Sequence, residues 1–400
     1  MAAPPRAENP STLLLPIHEA HHRLRRLRLP TVPGRWVDVR DAVGLVNATT
    51  LRARFPEPAV DTSAMDGFAV RWPAGGDRSE FHLRPGLAAA GTPARTLAPG
   101  EAIAITTGAP LPSGAVAVVR KERALVVGDR LRVRAPLPRG TDVHYRGEDL
   151  ARGDMILRAG APVRPVHLGL LLAQGVRRVH VRVARLTFVP IGDELAPRRN
   201  PRRGTTNDTI SPVIARLAPS TTSSTIRPVP DDLESIANAV RDAARSADLV
   251  VTVGGTSVGA KDFTKAAVAS VGKVVIPGTR VNVLKRGGLG VVAGVPVLML
   301  PGQVASSAAV WQEFGLELLR KLLGTPEPPT ETARLARPLS NPHPMDAVYF
   351  LELRNGSAYP CRWGVRLYSV LLRAAAYVIV PKGALLAAGS TVTVRQLTFS

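Results

Sequence analysis

Four apolar, strand-like runs in the middle of this sequence of 400 residues each end in glycine plus a polar or acidic residue. Glycine lets backbone N–H groups approach a phosphate, and carboxylate oxygens are ligands that hard divalent cations prefer. Parallel strands share one carboxyl edge, where open α/β sheets bind their ligands. The pattern therefore predicts a crevice for a phosphate ester and a divalent cation, with Asp193, Glu194 and Asp262 around it. The four segments are 186-LTFVPIGDE-194, 249-LVVTVGGTSVG-259, 274-VVIPG-278 and 295-VPVLMLPGQ-303.

The segment 253-VGGTSVGAKDF-263 follows one of these strands and opens a helix. Backbone N–H groups in such a loop, with the helix dipole behind them, bind an anion without side-chain charge. Asp262 falls in the first turn of this helix, and two roles stay open for it. It either starts the helix or faces the ligand, where it holds magnesium or activates water. The loop residues expected to contact the ligand are Gly254, Gly255, Ser257 and Gly259.

Two further loops carry groups that suit an anionic ligand. In 190-PIGDELAP-197 the adjacent carboxylates repel each other unless a cation lies between them, so this loop is either a cation site or a solvated turn. In 301-PGQVASSAAVWQEF-314, Ser306 and Ser307 either start a helix or donate hydrogen bonds to an oxyanion. Gly302 lies at the start of the same segment and is expected beside the ligand.

Residues 18-HEAHH-22 match H-E-x-x-H, a motif in which two histidines one helical turn apart bind zinc and the glutamate acts as base. The match lies on a basic helix near the start of the sequence, and no clear third ligand follows it. A zinc hydrolase based on His18, Glu19 and His22 is an alternative to a solvated helix face.

The elements that position these residues follow from hydrophobic patterning. The sequence predicts a multidomain α/β protein that contains a central α/β domain with a mostly parallel sheet, a β-rich module, a small mixed domain and a C-terminal β-barrel-like domain. The predicted domains are 1–47 with 146–184, then 48–145, 185–325 and 326–400. The predicted helices are 13–29, 37–50, 165–175, 208–217, 231–246, 262–271 and 304–323.

Composition limits the class of protein. Hydrophobic residues make up 45% of the chain, which suits ordinary globular cores. One cysteine, Cys361, excludes a disulfide within the chain and fits a reducing compartment. No apolar run reaches the length of a membrane span, and no secretory pattern is recognised, so we expect a cytoplasmic protein without membrane contact.

The formal net charge of +21 raises the question of a nucleic-acid partner. The basic residues are scattered, and the densest cluster, 198-RRNPRR-203, contains no aromatic residue on which bases could stack. A solvated, arginine-rich surface is therefore favoured over nucleic-acid binding. Steering of a small polyanion is a third interpretation.

Five segments in this order resemble hallmarks of the molybdopterin molybdenumtransferase family, the MoeA and gephyrin E-domain type. The family pattern D-x-S-A-M-D-G-Y/F-A-V comes first, followed by T-G-A-P-x-P, R-G-E-D, T-G-D-E-L and G-G-x-S-x-G-x-x-D-Y/F. The matching segments are 61-DTSAMDGFAV-70, 107-TGAPLP-112, 146-RGED-149, 192-GDEL-195 and 254-GGTSVGAKDF-263. The resemblance covers about residues 35–400.

The resemblance implies an elongated protomer of four parts and a homodimer in which 1–47 with 146–184 link the subunits. It implies that adenylylated molybdopterin and molybdate are the substrates and that AMP leaves in a magnesium-dependent step. Contacts with the adenylyltransferase and with molybdoenzymes are further implications. Glu194, Asp208 and Asp262 are the expected magnesium ligands, and Asp262 is also expected in catalysis. The catalytic residues expected from the other lobe, across the dimer, are Asp61, Thr107 and Asp149.

The chain departs from the family where molybdate is expected to bind. The family segment K-P-G-K-P is replaced by 275-VIPGTR-280, so both lysines are missing, and Arg280 is the expected anion clamp, with Lys285 or Arg286 nearby. Three further motifs are altered, at 208-DTI-210, 300-LPGQVASS-307 and the pair 364-GV-365 with 374-AA-375. A second hypothesis is therefore a divergent paralogue that binds nucleotide-linked molybdopterin as a partner or regulatory subunit and inserts no metal.

Overall fold

The structure is a computed structural model that describes residues 14–75, 78–93, 95–135, 137–195, 205–256, 263–362 and 368–397. Its contacts divide the chain into two compact units. Unit 1 takes the chain up to Thr49, Ala159–Leu168 and the chain from Arg177 onward, and unit 2 takes Thr50–Arg158 and Gly169–Val176. The finer division into four domains at the boundaries given above stays a prediction.

The helices and strands are named in chain order. The first stretch holds α1 (Ile17–Arg26), β1 (Gly34–Asp38), β2 (Val46–Asn47), β3 (Leu51–Arg52), β4 (Thr62–Ser63), β5 (Gly67–Val70), β6 (Glu80–Ala88), β7 (Glu101–Ile105), β8 (Ala117–Arg120), β9 (Ala124–Val127), β10 (Arg130–Val133), β11 (Val143–His144) and β12 (Met155–Leu157). The second holds α2 (Pro165–Ala173), β13 (Arg178–Arg182), β14 (Ala184–Pro190), α3 (Ile210–Leu217), β15 (Thr221–Thr225), α4 (Leu233–Ala244), β16 (Leu249–Val253), α5 (Phe263–Val271), β17 (Lys273–Ile276), β18 (Val281–Asn282), β19 (Gly288–Val292), β20 (Val295–Leu300), α6 (Val304–Val310) and α7 (Leu316–Leu323). The last holds β21 (Glu331–Leu335), β22 (Leu339–Ser340), β23 (Asp346–Arg354), β24 (Ser357–Pro360), α8 (Tyr368–Leu371), β25 (Ala376–Val380), β26 (Leu385–Leu386) and β27 (Thr391–Gln396).

The α/β sheet of unit 1 has the strand order β15, β14, β16, β20, β19, β17. The first four of these strands pair in parallel, whereas β19 lies antiparallel to both β20 and β17. Every residue of β16 is buried, because α3, α6 and α7 pack into the core on one face of the sheet and α4 and α5 into the core on the other. The central α/β domain is thus a mixed sheet whose middle is parallel, as predicted.

The sequence did not indicate β19, and this strand changes the place of β17. The chain reverses tightly between β19 and β20 at Ala293 and Gly294, which have φ angles of 50° and 83°. That turn is the left-handed type that joins antiparallel strands. The resulting hairpin separates β17 from the parallel strands, so the loop at 277–280 lies at the sheet edge rather than among the central loops.

The helix predicted over 37–50 is wrong. A single 3-10 turn, Val39–Asp41, begins after Asp38, whose carboxylate accepts a hydrogen bond from the backbone N–H of Arg40. Gly44 then adopts a φ of 85°, and its N–H donates to the carbonyl of Val163. Tertiary hydrogen bonding of the chain beside β13 therefore replaces the intrahelical bonds that the pattern predicted.

Unit 2 is rich in β-strands and contains most of the predicted β-rich module, whose bounds of 48–145 stay a prediction. Its main sheet has the order β8, β5, β7, β6, β10, β9, and only the β6–β7 pair is parallel. Two small antiparallel pairs, β11 with β4 and β12 with β3, lie outside this sheet. Valine, isoleucine and alanine side chains supply most of its two cores, as the low aromatic content predicted.

The C-terminal part of the chain forms a closed barrel of five strands in the order β23, β24, β21, β27, β25, closed by pairing of β23 with β25. The β23–β24 hairpin turns at Asn355 and Gly356, which have φ angles of 49° and 75°. The predicted barrel-like domain is confirmed. Among the described residues, no helix has the length and apolar character that a membrane span requires.

Candidate active site

A cleft of about 650 Å³ lies at the carboxyl ends of the parallel strands in unit 1. The loops after β14, β16 and β20 line it, together with the start of α3, Arg286 and Tyr368. The loop at 277–280 does not line it. Three of the four strand-end loops singled out in the sequence therefore meet at one cleft, of a size suited to a small-molecule ligand.

Gly254 joins two of these loops. Its N–H donates to the carbonyl of Leu300 over 3.0 Å, and its φ is 96°. A Cβ at this position would collide with the backbone carbonyl oxygen of Ile191, so only glycine lets the loops after β14, β16 and β20 approach one another. Gly255 and Gly302 line the same cleft.

Carboxylates occupy the side of the cleft that follows β14. Asp193, Glu194 and Asp231 all line it. The backbone N–H of Asp193 donates to the carboxylate of Asp231 over 3.3 Å, and the N–H of Asp231 donates back over 3.2 Å. This exchange brings Asp231 to the site, a residue that the sequence analysis missed. Its signal was the acidic pair at the start of the predicted helix 231–246.

In the structure Asp208, a predicted magnesium ligand, caps a helix. Its carboxylate accepts hydrogen bonds from the backbone N–H groups of Ile210 and Ser211, over 3.1 and 3.0 Å, and so caps the start of α3. Asp208 itself does not line the cleft, whereas the next residue, Thr209, does. Any contact of Asp208 with a metal ion would be made by a carboxylate that also holds the helix start.

Several predicted site residues lie outside the described residues, namely Ser257, Gly259, Asp262 and the cluster at 198–203. The full set of Glu194, Asp208 and Asp262 is therefore not described. Within the described ranges, no three His, Cys, Asp or Glu side chains are grouped so that they could hold a metal ion.

The residues predicted to bind an oxyanion differ in where they lie. Ser306 and Ser307 are buried at 4% and 0% exposure, and the hydroxyl of Ser307 donates to the carbonyl of Pro301. The hydroxyl proton of Ser307 therefore stabilises the turn before α6, and this is the proton that an oxyanion would need. The Nε of Arg280 donates to the carbonyl of Leu14 over 3.1 Å, away from the cleft. Arg286 lines the cleft instead.

In unit 2 the three predicted catalytic residues come from loops that hydrogen-bond to one another. The carboxylate of Asp61 accepts from the N–H of Arg146 over 2.8 Å, which joins the first motif to the turn that contains Asp149. Asp66 accepts from the N–H and the hydroxyl of Thr107, over 2.7 and 3.0 Å. These hydrogen bonds from Thr107 hold the pKa of the Asp66 carboxyl below its usual value, so Asp66 stays ionised at neutral pH.

Both units of the chain match known proteins. A model of the MoeA N-terminal region (domain I and II) matches residues 15–175, and a model of a probable molybdopterin binding domain matches residues 187–321. The molybdopterin molybdenumtransferase 2 of Mycobacterium tuberculosis is 31% identical over 337 residues, which are 80% of this chain and 82% of that protein. The chain belongs to the MoeA family. The molybdopterin molybdenumtransferase of Haemophilus influenzae is 29% identical over 75% of this chain and 76% of its own length.

The fold of a MoeA-family protein is also found among solved structures. The molybdopterin biosynthesis MoeA protein of Pyrococcus horikoshii superposes with a TM-score of 0.79 over 97% of this chain and 100% of that chain, at 24% identity. All described lining residues of the cleft except Tyr368 lie in the segment that the molybdopterin-binding model matches, and Asp61, Thr107 and Asp149 lie in the segment that the N-terminal model matches.

The histidine motif of this MoeA-family chain takes no part in the cleft. Glu19 receives a 2.9 Å hydrogen bond from Arg23, and His18 and His22 are exposed on α1. Within the described ranges these residues belong to no metal-binding group, so the zinc hydrolase alternative lacks support.

We expect elemental analysis of the purified protein to find no stoichiometric zinc. One zinc per chain, lost on His22→Ala substitution, would restore that alternative.

Proposed function

We propose that this chain is a molybdopterin molybdenumtransferase of molybdenum cofactor biosynthesis, which inserts molybdenum from molybdate into adenylylated molybdopterin and releases AMP. The observation that carries the proposal is the cleft whose glycine loops and carboxylates lie in the molybdopterin-binding segment. Backbone N–H groups after β16 and β20 suit the ligand phosphates, because they offer hydrogen bonds without a bulky side chain.

The donor set of the cleft fits a magnesium ion. The metal-ligating side chains among its described lining residues are carboxylates, those of Asp193, Glu194 and Asp231, and hard oxygen donors are what Mg²⁺ prefers. Mg²⁺ often takes only one or two protein carboxylates beside substrate phosphates and water. When bound, it would neutralise pyrophosphate charge. We assign Glu194 and Asp262 as magnesium ligands. Asp208 would bind the ion with the same carboxylate that caps α3.

The other roles of the chain's own residues follow from the same proposal. The loops after β16 and β20 orient the phosphates, and Asp262 positions the water that attacks the pyrophosphate. Asp61, Thr107 and Asp149 complete the site from the partner subunit of a homodimer. The contacts with the adenylyltransferase and with molybdoenzymes belong to this proposal too. Mass measurement in solution tests the homodimer.

Asp262→Asn is expected to lower the rate of AMP release from adenylylated molybdopterin by about 100-fold or more, because the amide is a poor base for the attacking water. The assay contains magnesium and molybdate and measures AMP together with active cofactor. Asp242→Asn is the matched control, since Asp242 is exposed on α4 and pairs with Arg245 over 3.3 Å. Full activity of Asp262→Asn would contradict the role given to this residue.

The same assay separates the two remaining hypotheses. A transferase yields AMP and active cofactor in equal amounts. A divergent paralogue that only binds or cleaves the nucleotide-linked pterin yields AMP, or neither product, without active cofactor. The divergent paralogue is retained as a second candidate because the family motif is altered at 275–280.

A further inference from the structure

We propose that Tyr368 is the platform on which the flat ring system of the ligand stacks in this cleft, and that Arg286 holds the ligand phosphate. The inference rests on the proposed function, because it concerns the same cleft. It gives Tyr368 a role that no pattern in the sequence indicated, and it gives the phosphate contact to Arg286, which the sequence placed only near the expected anion clamp Arg280. The ligand class is a fused heteroaromatic ring that carries phosphate, and both adenine and pterin provide such a ring.

Tyr368 comes to the cleft from the barrel part of the chain. It is the first residue of α8, which precedes barrel strand β25, and it lines the cleft beside the loops after β14, β16 and β20. Its hydroxyl is hydrogen-bonded to the hydroxyl of Thr209. Thr209 directly follows Asp208, whose carboxylate caps α3, so the partner of the tyrosine hydroxyl lies on a braced helix start.

The hydroxyl of Tyr368 has a hydrogen-bond partner, the helix that carries this residue is anchored, and its side chain is still accessible. Val370, two residues further on, is buried at 1% exposure and anchors the short helix. Tyr368 itself is 48% exposed. An aromatic ring fixed in place loses little conformational freedom when a ligand stacks on it, which is the condition for an effective stacking contact.

One other aromatic side chain among the described residues lines the cleft, that of Phe263. Phe263 packs against the hydrophobic core that contains α4 and α5. Its ring therefore already has apolar neighbours, which leaves Tyr368 as the more available stacking surface.

Charge assigns the phosphate end of the ligand. Asp193, Glu194 and Asp231 would repel a phosphate unless a cation lies between them, whereas Arg286 is the one basic side chain among the described residues that line the cleft. Within the described part of the chain, Arg286 makes no ion pair that would occupy its guanidinium. A guanidinium binds phosphate oxygens in a bidentate manner, so Arg286 is the natural phosphate contact.

Isothermal calorimetry with three probes tests the two assignments separately. AMP carries adenine and phosphate, neopterin carries a pterin ring without phosphate, and pyrophosphate carries no ring. We expect Tyr368→Ala to weaken binding of at least one ring probe by roughly tenfold or more and of pyrophosphate by less than about twofold. We expect Arg286→Ala to weaken pyrophosphate and AMP but to leave neopterin unchanged.

Tyr368→Phe separates stacking from the hydrogen bond to Thr209. The phenylalanine ring keeps the stacking face, so ring-probe affinity is expected to stay within about threefold of the wild type. Tyr359→Ala is the control, because Tyr359 lies on β24 of the same barrel and does not line the cleft. It is expected to bind all probes normally.

The outcomes identify the ring. Loss of AMP affinity alone in Tyr368→Ala assigns adenine to Tyr368, and loss of neopterin affinity alone assigns the pterin. Unchanged affinity for both ring probes in Tyr368→Ala overturns the inference, as does a wild-type chain that binds neither. Failure of the proposed function would give a different result. The wild-type chain would then release no AMP from adenylylated molybdopterin, even if Tyr368 governs binding of the ring probes.

Discussion

Substitution of Glu313 by alanine is expected to lower the free energy of unfolding by about 3–5 kcal/mol, the usual cost of breaking a buried ion pair. Glu313 lies on the π-helical turn Trp311–Gly315 between α6 and α7, and its side chain is only 1% exposed. His21 on α1 contacts its carboxylate at 2.6 Å, and Arg395 on β27 at 3.0 Å. The carboxylate therefore ties the first helix and the barrel to the long helix that starts at the cleft.

The loss is large because the partners cannot all return to water. The hydroxyl of Tyr377 also donates to Glu313, and Tyr377 is fully buried. Burial, together with the adjacent carboxylate, raises the pKa of Tyr377 well above its usual value, so it remains a hydrogen-bond donor that needs an acceptor. Alanine at position 313 would leave this hydroxyl without one and would open a cavity.

The pH dependence of this cluster has a definite sign. Burial disfavours the charged form of Glu313, but the hydrogen bond from His21, with the charges of Arg395 and His21, keeps its pKa below the usual carboxyl value. A pKa that is lower in the folded than in the unfolded chain stabilises the fold above the unfolded pKa. That contribution is lost as the pH falls through the folded pKa. The wild type should therefore lose stability below about pH 4, near the unfolded carboxyl pKa.

Urea unfolding of the wild type and three variants from pH 7 to pH 3 tests this account. Glu313→Gln keeps the volume and an acceptor for Tyr377, so it should lose less stability than Glu313→Ala and show a smaller acid dependence. Asp242→Asn changes an exposed carboxylate on α4 and serves as control. A Glu313→Ala protein as stable as the wild type at pH 7 would rule out the structural role of this cluster.

Gly254→Ala is expected to reduce AMP release by about 100-fold, the size of effect that follows when a catalytic geometry is misplaced by about 1 Å. The added Cβ would meet the carbonyl oxygen of Ile191, and a backbone atom at the end of a strand has little room to retreat. The φ of 96° adds strain of about 2 kcal/mol for any residue other than glycine. The loops after β14 and β16 would separate, and the phosphate contacts would separate with them.

The variant Gly294→Ala distinguishes the effect of the Cβ collision from the effect of the backbone strain at positive φ. Gly294 has a φ of 83° in the β19–β20 turn, and nothing lies within 4 Å of a Cβ built there. This variant should lose some stability and keep normal AMP release. If Gly254→Ala releases AMP at the wild-type rate, the close approach of the three loops does not matter for the reaction.

Much of the cleft was predictable because strand-end loops are local features. The runs at 249–253 and 295–300 are almost continuously apolar, as central parallel strands are, and the glycines that follow them line the cleft where such sheets bind ligands. The family was predictable as well, because short ordered motifs survive substitution of the residues between them. The strand-rich character of the C-terminal part followed from closely spaced turns such as Asn355–Gly356.

Contacts between distant parts of the chain were not predictable. The sequence pointed to Arg280 as the anion clamp, yet the β19–β20 hairpin places its loop at the sheet edge, and Arg286 lines the cleft. Asp231 and Tyr368 reach the site through hydrogen bonds to residues 38 and 159 positions away in the sequence. No local pattern records such a pairing.

The sequence by itself determined most of the segments that become strands, though not β19, and it also determined the glycine loops of the cleft and the family that the chain resembles. Periodicity, backbone freedom and motif order are properties of neighbouring residues. Only the tertiary structure decided which basic residue faces the ligand, that Asp208 caps a helix and that Glu313 joins three elements. Burial and charge at these positions depend on what packs against them, and the packing partners are set by the whole fold.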